Sequence, residues 1–441
     1  MYRFKDTLCA QNITILSPSK VFSDYISGVL PELGEEPIFE AGFEDVAQAQ
    51  LEGIIRFEPD KAYGTADKGY AQRAHFKSTL DFVKQLDDFI CEIPNFAFTE
   101  ADYTFEDFIA PATWIRARIN AYDGHPLKQR LRMVAEDILE RFTTDNVRGE
   151  ELPKPGVVIK SLNDMLTYKS SLSLYREFYR QIGRQEMLMT PDSKTIEWND
   201  VFPFLYVRAA FDGLRESKII RHLVIDEMQD YTPIQFAVIN RLFPCPKTIL
   251  GDFSQRVYPH HTHTQEDLLA LYEGAQLVRL NKSYRSTYEI IRFAKHIQPA
   301  DGLEAVERHG EAPRILACGS EEDEIVQLRR LIRSFWAGKN RTLGVITKTD
   351  EQAKKLYDDL YDEFDVCLIS PDSKNFNNGI SIVSVHMSKG LEFDEVIIPG
   401  ADDAQYHCEH DRSLLYVACT RAMHSLTLLY TGTRSRLLPP A

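Results

Sequence analysis

The stretch His222-Leu223-Val224-Ile225-Asp226-Glu227-Met228-Gln229-Asp230 runs an apolar segment into two adjacent carboxylates. Three consecutive apolar positions, two of them β-branched, predict a short buried strand. Strands of parallel α/β sheets present their chemistry at their C-terminal ends, which is where Asp226 and Glu227 fall. Nucleotide hydrolysis needs one carboxylate near Mg2+ and a second group to orient or deprotonate water, and neighbouring carboxylates can divide those roles. A solvated acidic turn after a strand is the plainer reading of the same residues. The local pattern alone does not choose between them.

Working outward, strands are predicted at 12–16, 248–250 and 276–280, with a helix at 21–30. A second unit follows: strand 314–318, helix 321–336, strand 343–347, helix 350–364 and strand 366–369, then strands 380–385 and 396–399, helix 411–421 and strand 425–430. Strands alternating with helices predict parallel sheets, an α/β class. Between about Gly34 and Asp200 the pattern changes. Segments 71–91, 112–143 and 161–188 carry apolar residues at helical spacing, with a short strand predicted at 157–159. The aromatic residues here, Phe96, Phe98, Tyr103, Phe105, Phe108 and Trp114, read as helix packing rather than a base-stacking surface.

Composition narrows the class. A chain of 441 residues suits two or three domains. Hydrophobic residues at 44% and charged residues at 27% fit a globular protein. No apolar run reaches the ~18 residues of a membrane span. The net charge of -15 argues against a large non-specific nucleic-acid surface and suits a partner with a basic surface, without excluding a local basic channel. Seven scattered cysteines form no CxxC pair, which predicts neither a zinc site nor a disulfide framework and favours a cytoplasmic setting.

Four further blocks follow the acidic strand end in order: Gly251-Asp252-Phe253-Ser254-Gln255, Asn281-Lys282-Ser283-Tyr284-Arg285-Ser286, Val385-His386-Met387-Ser388-Lys389-Gly390-Leu391-Glu392-Phe393 and Tyr416-Val417-Ala418-Cys419-Thr420-Arg421-Ala422. Together the five resemble motifs II to VI of the UvrD/Rep helicases of superfamily 1. The resemblance implies two RecA-like domains of the P-loop NTPase type, each a parallel sheet with helices on both faces, with a largely helical insertion in the first. The expected division is 1–33 and 201–280 for the first domain, 34–200 for the insertion and 281–441 for the second domain. It implies ATP and Mg2+ as cofactors and single-stranded DNA as partner. Asp226 is then the Mg2+ carboxylate, Glu227 activates water, and Gln229 and Gln255 sense the γ-phosphate. Arg285 and Arg421 are the two γ-phosphate arginines, Tyr284 stacks on adenine, and Gly390 and Glu392 lie near the γ-phosphate and ribose. Ser17, Pro18, Tyr258, Ser384 and His386 correspond to the family's single-strand contacts. An aromatic face such as Tyr258 can stack on any base, which suits sequence-independent tracking.

Three departures qualify the resemblance. No G-x-x-x-x-G-K-[ST] occurs, so the backbone nest, lysine and hydroxyl of a phosphate loop are missing. The family places that loop just before the first strand seen here, so Tyr2-Arg3-Phe4-Lys5 reads as the tail of its helix and the chain as N-terminally shortened. After Tyr258 the sequence reads Pro259-His260-His261-Thr262-His263 where many UvrD-type motors carry Phe-Arg-Gly. The three histidines, like His407-Cys408-Glu409-His410, read as polar loop rather than metal ligands. Finally, the stretch between Arg285 and Ile380 already holds an α/β unit and has no room for the large insertion of Rep-type enzymes. With Leu16–Ser27 and Asp226–Tyr231, this looks most like the HelD branch, ATPases that bind bacterial RNA polymerase and free it from nucleic acid. A DNA helicase or translocase is the first expectation, an RNA-polymerase remodelling factor the second, and a non-hydrolysing binding module the third.

Overall fold

The computed structural model describes residues 9–17, 38–60, 68–299, 302–370, 373 and 379–440. Pro18, the helix expected at 21–30 and the segment Tyr2-Arg3-Phe4-Lys5 lie outside the described residues. Two parallel sheets flanked by helices make up the framework, the mixed α/β class expected of RecA-like domains.

The first sheet holds β1 (Ile13–Leu16), β2 (Phe39–Ala41), β3 (His222–Ile225) and β4 (Lys247–Ile249), in the order β2-β1-β3-β4, all parallel. β2 joins this sheet from within the stretch expected to be helical. Most of the other described residues of that stretch are helical, including Leu80–Phe96, Leu127–Asp145 and Ser171–Gln181, with two short ladders, Arg56–Phe57 with Thr195–Ile196 and Tyr103–Phe105 with Phe108–Ala110. The strand expected at 157–159 is instead part of helix Pro155–Asp164. Pro155 in the first turn, where no intrahelical N–H is needed, starts a helix there, and Val158 and Leu162 bury its one apolar side. Leu16, Leu223 and Ile225 of the sheet share one apolar core with the helical block.

The strand expected at 276–280 does not form. Leu277, Val278 and Leu280 are exposed, with Leu280 87% accessible, and among the described residues no strand lies beyond β4 for this segment to pair with. β propensity needs a partner edge to become a strand. The chain pairs only further on, at Lys282–Ser283 with Glu304–Ala305.

The second sheet comprises β5 (Arg314–Cys318), β6 (Thr342–Thr347), β7 (Val366–Leu368), β8 (Gly379–Ser384), β9 (Phe393–Ile398) and β10 (Ala422–Thr431), ordered β5-β10-β9-β6-β8-β7 and parallel throughout. Alternation along the strands gives it two apolar faces. Val396 and Ile398 join Leu426 and Leu428 in one core with helices Tyr288–Ile297 and Glu409–Thr420. Ile397 and Leu429, one residue out of phase, face the opposite core with Leu343, Val345, Ile380 and Ile382, under helices Glu321–Trp336 and Asp350–Leu360. Val257, from the loop after β4, is fully buried in the second domain's core.

Candidate active site

β3 ends at Ile225, and the Asp226 N–H still donates to Leu16 O at 2.9 Å, so the carboxylates begin at the rim of the sheet. Asp226 Oδ1 accepts the Glu227 N–H at 2.9 Å. Glu227 has φ 54°, a left-handed conformation that costs a non-glycine residue about 1–3 kcal/mol. Hydrogen bonds on either side hold it there: Met228 N–H to Leu250 O and Asp230 N–H to Glu227 O, both 2.9 Å. Gln229, fully buried, is a strut: its Nε2 donates to Glu227 Oε2 at 2.7 Å and its Oε1 accepts the Asp252 N–H at 3.0 Å. That approach explains Gly251, because a Cβ there would sit 2.4 Å from Gln229 Oε1 and 2.7 Å from the Met228 nitrogen. Burial and the neighbouring Glu227 push the Asp226 carboxyl above its ordinary range.

The second domain closes on this rim. Arg421, at the end of helix Glu409–Thr420, is 1% exposed and donates through Nη2 to Gln255 Oε1, while Gln255 Nε2 donates to Asp252 Oδ2 at 3.0 Å. Burial, with Arg285 nearby, lowers the Arg421 guanidinium to about 10, and Glu227 and Glu392 oppose the fall. It therefore stays charged at neutral pH. Arg285 Nε is 2.5 Å from Glu392 Oε1. Gly390 has φ 82°, a turn that glycine adopts without strain. Tyr284 is 70% exposed, a free ring face. Asp226, Glu227 and Gln229 at the end of β3 and Gln255 after β4 thus lie beside Arg421, with the Arg285–Glu392 pair close enough to act on both electrostatically.

Lys389 was not anticipated. Its ammonium is 2.6 Å from Asp230 Oδ2 and 3.5 Å from Glu227 Oε2, with 4% of the side chain exposed. Burial pushes the Asp230 carboxyl up to about 6 even with this lysine beside it. The available signal was Asp230 itself, a third acid after Asp226 and Glu227, which needs a cation when buried.

Of the expected single-strand contacts, Tyr258 and His386 meet beside the second domain's core, ring centroids 5.3 Å apart and edge to face, and Tyr258 also stacks on His261 at 4.7 Å. The Ser17 and Ser384 side chains are buried, and Ser384 Oγ accepts the Met387 N–H at 3.3 Å. Pro18 is outside the described residues.

Burial holds His263 down to about 4, with Arg256 adding and Asp267 opposing, and His386 down to about 3, with Lys389 adding. Both imidazoles are neutral when folded and protonate near 6.5 when unfolded. Below pH 6.5 the unfolded chain binds more protons, so their contribution is present above 6.5 and is lost as pH falls towards 4. Asp230 acts oppositely between pH 6 and 4, since its folded carboxyl takes a proton first. Burial holds His261 neutral as well, so the histidines outweigh Asp230 and stability should fall as the pH drops through that window. Thermal melts at pH 7, 6 and 5 should show this slope, and a smaller one in His386→Gln. A flat profile would contradict the buried neutral state.

Residues 379–432 match the UvrD-like helicase C-terminal domain. The chain is also similar to a protein of Acanthamoeba polyphaga mimivirus named as a candidate ATP-dependent DNA helicase, 25% identical over 252 residues, covering 49% of this chain and 35% of that protein. It is 35% identical to DNA helicase II of Escherichia coli K12 over 69 residues, 13% of this chain and 10% of that one. Over these stretches the chain is similar to UvrD-like helicases. A crystal structure of the C-terminal domain of a possible DNA helicase from Lactobacillus plantarum is 33% identical, covering 35% of this chain and 91% of that one, at a TM-score of 0.31. The UvrD-like match runs from β8 through the turn bearing Gly390 and Glu392 to Arg421 and β10. The chain spans about a third of the mimivirus protein and a tenth of DNA helicase II.

Proposed function

We propose that this chain is the greater part of an ATP-hydrolysing core that moves on single-stranded DNA. The observation carrying this reading is the contact of Arg421 with Gln255 beside Glu227, with Arg285 held next to them by Glu392. The donors suit Mg-ATP: one carboxylate at Asp226 for the cation, whose other ligands come from phosphates and water, and guanidinium groups for the phosphates. Glu227, fixed by Gln229, orients the attacking water and takes its proton. Arg421, aimed by Gln255, and Arg285, once turned from Glu392, stabilise charge on the transferring phosphoryl. Tyr284 offers its exposed ring to the base. Mg2+, when bound, neutralises the phosphate oxygens. Because the arginines belong to the second domain, catalysis requires the domains to be closed.

The phosphate loop has to come from outside this sequence. The outer edge of β4, beside the exposed Leu277, Val278 and Leu280, offers a place for its strand. An uncovered edge of this kind also favours association. The chain alone is therefore expected to hydrolyse little or no ATP. The test is ATPase activity, with and without a dT oligomer, of a longer protein carrying a phosphate loop. Glu227→Gln should lower its turnover at least about a hundredfold, the scale of a general base. Turnover that survives Glu227→Gln would refute the assignment.

A second reading is a HelD-like ATPase that frees RNA polymerase from nucleic acid. The net charge of -15 and the histidine-bearing loop after Tyr258 favour it. Capture by core polymerase without duplex unwinding would select it, and unwinding without capture would remove it. Strand-stimulated turnover would exclude the third reading, a non-hydrolysing binding module.

A further inference from the structure

Arg308 sits in a turn fastened to the start of helix Tyr288–Ile297. Tyr288 N–H donates to Arg308 O at 2.9 Å, and Gly310 N–H to Glu289 Oε2 at 2.8 Å. His309 Nδ1 lies 2.8 Å from Glu289 Oε1. The fit is close: a Cβ on Gly310 would lie 2.6 Å from Thr287 Cγ2. From this turn the half-buried Arg308 side chain reaches two backbone segments far apart in sequence. Its Nη2 donates to Arg285 O and, at 2.9 Å, to Met423 O. Both N–H bonds of that nitrogen are thereby used, one on Arg285 itself and one two residues past Arg421. Ser286 Oγ to Ala422 O at 2.6 Å and Thr287 N–H to Met423 O at 3.2 Å stitch the same segments. Those two bonds are neutral and hold the residues after Arg285. The guanidinium makes the stronger, charge-assisted bonds, and makes one of them to the arginine's own carbonyl.

We propose that Arg308 is a positioning residue that fixes the backbones of Arg285 and Arg421 relative to each other, so that both guanidinium groups address one phosphoryl group. The proposal rests on the reading of those two arginines as phosphate-directed. With its carbonyl held, Arg285 leaves Glu392 only by swinging its side chain, and the pivot of that swing stays in register with Arg421. Without Arg308 the segment bearing Arg285 drifts against the start of β10. Misplacement on the scale of an ångström costs about a hundredfold in rate.

Two measurements test this. In the 441-residue chain, amide hydrogen exchange of Thr287, whose N–H bonds the same Met423 carbonyl, should quicken in Arg308→Met. The expected change is roughly tenfold, the scale of one hydrogen bond from a charged donor. In a longer protein carrying a phosphate loop, Arg308→Met should lower kcat about a hundredfold with KM for ATP nearly unchanged. Arg308→Lys is one atom shorter and reaches one carbonyl of the two, so it should lose about tenfold. It carries the test where Arg308→Met does not fold. In an Arg421→Lys background the further loss from Arg308→Met should shrink to less than about tenfold, because the spacing of a pair stops mattering once one member is gone. A side chain that merely stabilises the fold would cost the same factor in both backgrounds. Unchanged Thr287 exchange in Arg308→Met, or an undiminished loss beside Arg421→Lys, overturns the proposal. So does a kcat within about threefold of the unaltered protein for either variant. A longer protein whose turnover ignores Arg421→Lys removes the underlying reading instead.

Discussion

Arg421→Lys, in a protein that carries a phosphate loop, should lower strand-stimulated kcat by about a thousandfold, the lower end for a phosphate-directed arginine, with little change in KM for ATP. Lysine keeps the charge but loses the planar fork, so the experiment isolates geometry from charge. The site makes geometry matter. Arg421 Nε donates to Val417 O at 3.2 Å and Nη1 to Leu391 O at 3.5 Å, which leaves Nη2 directed at Gln255. A shorter, tetrahedral ammonium cannot hold the helix carbonyl and reach the glutamine together. Interactions made only in the transition state appear in kcat, whereas loss of folded protein appears as less active enzyme with unchanged KM and a lower melting temperature. Active-site titration alongside thermal melts separates these. A per-site kcat within tenfold of the unaltered protein would take Arg421 out of the chemistry.

The second large effect concerns stability. Lys77 Nζ lies 2.7 Å from Asp200 Oδ2, with 2% and 0% of the two side chains exposed. Asp200 Oδ1 also accepts from Tyr175 at 2.7 Å and Tyr179 at 3.2 Å, and Lys77 donates to Asn199 Oδ1 at 2.8 Å. Arg73 and Glu197, paired by two hydrogen bonds, extend the network. Lys77→Met leaves Asp200 charged and buried among aromatic rings, and should destabilise the chain by about 3–5 kcal/mol. Lys77→Met with Asp200→Asn should recover most of that loss, since the remaining amide can still bond both tyrosines. Urea unfolding followed through the helical signal measures both. A loss below about 1 kcal/mol for the single variant would mean that water reaches the pair.

The parts of the fold that were legible in the sequence are those where chemistry and periodicity agree. β3 and β5 fall where alternation and apolar runs put them, and helix Glu321–Trp336 has a serine cap, an acidic first turn and apolar residues Leu328, Ile332 and Phe335 on its buried side. Residues 157–159 and 276–280 misled for a shared reason: β-branched and apolar residues report a liking for strands but not the presence of a neighbour. At the site, the residues readable in advance were those whose chemistry is carried by type, the paired acids and the arginines. Lys389 was hidden because a lysine in a polar turn looks solvated until the opposite domain is in place. The buried hydroxyls of Ser17 and Ser384 were hidden for the converse reason, since small polar residues in loops read as exposed.

Val257 leaves the first domain's last strand and seats itself in the second domain's core, so the two bodies share a fastened strap rather than a slack tether. Any opening of the cleft has two routes. If Val257 stays seated, the bend has to fall between Asp252 and Val257, in the segment that carries Gln255. If Val257 is drawn out, an apolar side chain meets water at about 1.5–3 kcal/mol. Either route places a cost of opening on the strap itself.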